Sequence, residues 1–116
     1  MFVLKTKHRI YGSHKLKDHK GECRKLHGHQ YEVVLEVRTP CLDDINMVYD
    51  TSYVKKVFNE FVGSDHLDLN EFMCEDNPTM EFMAEYFFDN LKLRLPELFS
   101  VTVFETPESS ATYFME

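Results

Sequence analysis

The chain has 116 residues, and 20 acidic side chains against 13 lysines and arginines give it a formal charge of −7. That length accommodates one domain, residues 1–116, with no room for a second core, and the acidic balance argues against a nucleic-acid binder working through bulk electrostatics. No apolar run approaches the ~20 residues of a membrane span, no signal peptide opens the chain, and three cysteines without a framework point to reduced thiols in a cytoplasmic protein.

Phe2 to His14 reads as a strand with Phe2, Leu4, Ile10 and His14 on one face, although Lys5 to Arg9 is too polar for a buried core. Basic residues gather between Lys5 and Arg24, so a local positive patch can meet an anionic substrate. A polar loop, Lys15 to Glu22, leads into Cys23-Arg24-Lys25-Leu26-His27-Gly28-His29. His27 and His29 are two apart, so both leave one face of the pleat if the next strand begins there. With His14 upstream, three neutral imidazoles and an open fourth position describe a catalytic zinc site. Isolated histidines are also common as surface or satisfied core groups, and a single cysteine such as Cys23 as a small buried hydrophobe. Spacing alone leaves both readings open.

Gln30 to Arg38 is the clearest strand, with Tyr31, Val33, Leu35 and Val37 alternating against polar residues. After a loop around Pro40, the run Asp50-Thr51-Ser52 offers helix caps. A helix to about Val62 carries Val54, Val57, Phe58, Phe61 and Val62 on one stripe, and Gly63 fits its C-cap. Ser64 to Asp76 reads as a loop. Pro78 suits the first position of a second helix, capped by Asn77 or Asp76, with Met83, Ala84, Phe87, Phe88 and Leu91 recurring at helical spacing. Phe99 to Glu105 and Ala111 to Met115 form a final hairpin. The order β-β-α-α-β-β predicts an α+β fold, a four-stranded antiparallel sheet with two helices on one face. Its outer strands need partners, and Val34, Phe104 and Phe114 give its second face apolar character. A ring oligomer that closes the sheets into a barrel meets both needs.

Five motifs in order carry a resemblance across nearly the whole chain: the upstream His14, Cys23-x-x-x-His27-Gly28-His29, Asp65-His66, Pro78-Thr79-x-Glu81 opening a helix, and Glu105-Thr106 ending a strand. Together they resemble the 6-pyruvoyltetrahydropterin synthase / 6-carboxytetrahydropterin synthase family. The resemblance implies the tunnelling fold, with two stacked trimers forming a homohexamer and active sites between subunits. It implies Zn2+ held by His14, His27 and His29, with Cys23 as the catalytic base and Asp65 and His66 assisting proton transfer. It places Glu105 as anchor of the pterin ring and Thr79 and Glu81 at the pterin pocket. The implied substrate is 7,8-dihydroneopterin triphosphate, with neither nucleic acid nor membrane as a partner. The compact chain is similar to the 6-carboxytetrahydropterin synthases of the queuosine branch. A 6-pyruvoyltetrahydropterin synthase of the biopterin branch and a side-chain-cleaving relative are the alternatives, the latter because Glu22 directly precedes Cys23. The family's usual Phe-x-Ala-x-His stands here as Ile10-Tyr11-Gly12-Ser13-His14, with Gly12 for Ala as a mild change and His19 as a neighbouring candidate ligand. The non-enzymatic readings are a zinc-binding structural oligomer and a plain interaction module.

Overall fold

Two thirteen-residue strands, β1 (Phe2–His14) and β2 (His27–Thr39), pair antiparallel over their full length, with Phe2 opposite Thr39 and His14 opposite His27. The computed structural model describes residues 1–18, 21, 27–64 and 66–115, with His27 given by its backbone alone. Cys23, His19, Glu22 and Asp65 therefore lie outside the described residues. β2 forms because β-branched and aromatic side chains alternate with polar ones. Tyr31, Val33, Leu35 and Val37 are all fully buried. β4 (Leu98–Thr106) joins β2 antiparallel, and β5 (Ser109–Phe114) returns along β4.

Among the described residues the sheet has five strands where the sequence predicts four. β3 (His66–Asp68) lies parallel to β1, pairing with Tyr11, Gly12 and Ser13, and the strand order is β3-β1-β2-β4-β5. Three residues are too few to show an alternation, so this strand exists only through the edge that β1 offers it.

The helices number three among the described residues. α1 (Thr51–Val62) starts where the Asp50 carboxylate accepts from Ser52 N–H and stops at Gly63, whose φ of 72° is left-handed. α2 (Leu69–Met73) is a single turn capped by Asp68, inside the stretch that reads as a loop. α3 (Met80–Leu91) begins two residues later than predicted. The Thr79 hydroxyl accepts from Phe82 N–H at 3.2 Å, whereas the Asn77 side chain is engaged with Asp18.

The helices cover one face of the sheet. Phe58 of α1 and Phe87 of α3 stack at 5.6 Å over Ile10, Tyr31, Val33 and Val103. The core reaches further along β1 than its polarity suggests. His8 is 8% exposed, stacks on Phe58 at 4.3 Å and meets the Thr6 hydroxyl through Nε2 at 2.8 Å. Burial, then the neighbouring Lys55 charge, lowers its pKa to about 4. The opposite face is charged, with Arg38 on Glu36 at 2.6 Å and Arg9 near Glu32 at 3.6 Å. Among the described residues no strand lies on the outer side of β1, away from β2, from Phe2 to Ile10, nor beyond β5. No described helix is long and apolar enough to cross a membrane.

Candidate metal and active site

The ends of β1, β2 and β4 meet at one corner of the sheet. Alternation sends His14 to the helix side of β1, where it is 3% exposed. The β1–β2 register places His29 opposite Gly12 and His27 opposite His14. His29 and His14 are therefore diagonal neighbours, their ring centroids 5.9 Å apart at 62°.

Glu105 enters from β4 at the point where the β4–β5 register slips between Phe104 and Thr106. Such irregularities re-aim a side chain. Its carboxylate reaches His29, with Oε1 2.8 Å from Nε2. One ligand atom each from His14, His29 and Glu105 lies within 4.8 Å of the others. Two imidazoles and a carboxylate, partly or fully removed from water, are a donor set that suits zinc. The residues present fit that ion.

Tyr31 completes the corner. Its hydroxyl lies 3.0 Å from His14 Nδ1 and 3.4 Å from Nε2, and its ring packs edge-on to His29 at 5.6 Å. An outer hydrogen bond of this kind fixes the orientation of a ligating imidazole. Sequence reasoning assigned Tyr31 to the core. The available signal was a hydroxyl two residues after His29 on the same strand face.

Glu105, which the resemblance makes a pterin anchor, thus stands inside the group of possible metal ligands. His66 lies on β3, exposed, stacked on Tyr11 at 5.2 Å and 16°. Tyr11 and His14 fall on opposite faces of β1. A recess of about 500 Å³ nevertheless joins this end of the sheet, lined by Tyr11, Gly28, His29, Gln30, His66 and Asp68. Thr79 and Glu81 stand elsewhere, at the start of α3. The Thr79 hydroxyl is the helix cap, and the exposed Glu81 sits in the first turn, where a carboxylate complements the helix dipole. Neither belongs to the His14–His29–Glu105 group.

The family described as 6-pyruvoyl tetrahydropterin synthase matches residues 3–116. A 6-carboxy-5,6,7,8-tetrahydropterin synthase of Synechocystis sp. is 33% identical over 121 residues, covering 98% of this chain and 94% of its own. A 6-pyruvoyl tetrahydrobiopterin synthase of Drosophila melanogaster is 32% identical over 103 residues, covering 80% and 61%. The structure of Caenorhabditis elegans 6-pyruvoyl tetrahydropterin synthase superposes with a TM-score of 0.87 at 27% identity, covering 99% of this chain and 96% of that one. The antiparallel sheet with helices on one face is thus the fold of a pterin synthase. The chain belongs to the 6-pyruvoyl tetrahydropterin synthase family.

Proposed function

We propose that the chain is a zinc-dependent lyase acting on 7,8-dihydroneopterin triphosphate, and specifically a 6-carboxy-5,6,7,8-tetrahydropterin synthase serving queuosine-type deazapurine synthesis. The observation that carries the reading is the convergence of His14, His29 and Glu105 within 4.8 Å at one corner of the sheet. The choice of product is supported by the Synechocystis relative, which matches the chain nearly end to end. The alternative, a 6-pyruvoyltetrahydropterin synthase, is supported by the Drosophila relative.

In this reading His14, His27 and His29 hold the zinc. Bound there, zinc would supply a Lewis acid that makes the bonds of the substrate's side chain more acidic. Cys23 takes the proton, as a thiolate whose pKa a cationic setting lowers. Asp65 holds His66 in one tautomer, and His66 passes protons as bonds rearrange. Glu105 accepts hydrogen bonds from the pterin's amino and ring N–H groups while steadying His29. Thr79 and Glu81 border the pterin pocket. Thr79, a helix cap, acts there through backbone placement as well as its hydroxyl.

His66 stacks on Tyr11, on the face away from His14. This distribution supports sites completed between copies in a homohexamer, whose strand-to-strand contacts cover the free edges of β1 and β5. The test is product identification by mass spectrometry after incubation with 7,8-dihydroneopterin triphosphate, with and without zinc. A zinc-dependent carboxytetrahydropterin is the expected result. A pyruvoyl product selects the alternative, and no turnover in either condition contradicts the enzyme.

A further inference from the structure

The short ladder between β1 and β3 ends with Ser13 opposite Asp68, where the second segment turns into α2. Two residues on, the Asn70 carboxamide takes over. Its Oδ1 accepts from Lys15 N–H at 3.0 Å, and its Nδ2 donates to Lys15 C=O at 3.0 Å. Both backbone groups of the residue after His14 are held as a neighbouring strand would hold them, although the chain beside them is already helical. The same Nδ2 lies 3.1 Å from the Glu75 carbonyl and 3.3 Å from that of Asp76. Those carbonyls are brought back by the left-handed turn at Cys74, φ 50°. Only a primary amide offers an acceptor and two donors from one short side chain. An aspartate would set a charge against three carbonyls.

We propose that Asn70 is a positioning residue for His14. Its side chain adds one rung to the β1–β3 ladder beyond the end of β3. That rung fixes the end of β1, from which His14 enters the donor group. The inference rests on the reading of His14 as a zinc ligand. Three constraints then converge on His14: pairing with β2 opposite His27, the Tyr31 hydroxyl on its ring, and Asn70 on the following residue. Asn77 supplies an internal control. It grips Asp18 instead, accepting from Asp18 N–H at 3.1 Å and donating to its carboxylate at 2.9 Å.

The experiment measures zinc affinity by chelator competition and amide hydrogen exchange at Lys15, in the full chain and its Asn70→Ala, Asn70→Asp and Asn77→Ala variants. We expect Lys15 to be protected in the wild type and in Asn77→Ala, and exposed in Asn70→Ala. Zinc should bind roughly tenfold more weakly, or worse, in Asn70→Ala and unchanged in Asn77→Ala. Asn70→Asp keeps the acceptor for Lys15 N–H but turns a charge on three carbonyls, so it too should bind zinc more weakly than the wild type. It decides the matter if Asn70→Ala does not fold. Wild-type zinc affinity in a variant that has lost Lys15 protection overturns the proposal. So does equal weakening in Asn77→Ala, which would mark a general loosening. A wild type that protects Lys15 but takes up no zinc supports the rung and contradicts the zinc reading.

Discussion

The Glu105 carboxylate and the His29 imidazole meet at 2.8 Å, Oε1 to Nε2, just beyond the last paired residues of β2 and β4. A group read as a substrate anchor is thereby coupled to one read as a metal ligand. Glu105→Gln keeps the size and removes the charge. A hydrogen bond to a charged partner contributes roughly 1.5–3 kcal/mol, so affinity for a pterin product analogue should fall about tenfold or more. Because His29 loses the same partner, zinc should also bind more weakly. Isothermal titration with each ligand checks both. Unchanged affinity for the analogue would move the anchor to Glu81.

Tyr31→Phe removes one oxygen from a fully buried side chain. The cost in stability should be about 1 kcal/mol, read from a denaturant midpoint. The larger effect should be on zinc, roughly tenfold in affinity, because the His14 ring loses the contact that sets its orientation. A variant with unchanged zinc affinity would make Tyr31 a core residue only.

His8 makes stability depend on acid. Its pKa is about 4 when folded against an ordinary 6.5, so the unfolded chain binds the proton more readily. Stability is full above pH 6.5 and is lost as the pH falls towards 4, by at most roughly 3 kcal/mol. Urea melts across that window should show the decline, and His8→Gln should flatten it.

Gly12 stands where the family resemblance implies an alanine, a change that looks mild in the sequence. Here a Cβ at Gly12 would sit 2.7 Å from Leu69 Cδ1 and 2.8 Å from its Cγ. Gly12→Ala should destabilise by about 1–3 kcal/mol, and Leu69→Val should recover part of that in the double variant. Additive effects in a thermal-melt cycle would show that Leu69 moves aside freely.

Much of the scaffold was legible because it obeys local rules. The alternation from Tyr31 to Val37, the stripe from Val54 to Val62, and the Asp50 and Gly63 caps all have the structure they predict. What was hidden depends on distant partners. β3 is held by β1, and α2 is one turn long between Asp68 and the left-handed Cys74. His8 is buried amid lysines because α1 lays Phe58 over it. Of the site, the sequence gathered His14 and His29 but could not see that Glu105 comes to them at a register slip, or that the Tyr31 hydroxyl meets His14 while Asn70 holds the backbone of Lys15 beside it. The His-x-His pair advertises itself by spacing. Tyr31 and Asn70 act through register and side-chain hydrogen bonds that spacing does not encode.

The most direct measurement of the lyase account is the rate of triphosphate release from 7,8-dihydroneopterin triphosphate by the zinc-loaded wild type and Cys23→Ala. A catalytic base contributes ~10²–10⁴-fold. The account predicts a loss of at least the lower end of that range, with zinc content and assembly retained, and near-neutral effects for Cys41→Ala and Cys74→Ala, whose thiols are free and exposed. A Cys23→Ala protein that releases triphosphate at the wild-type rate would contradict it.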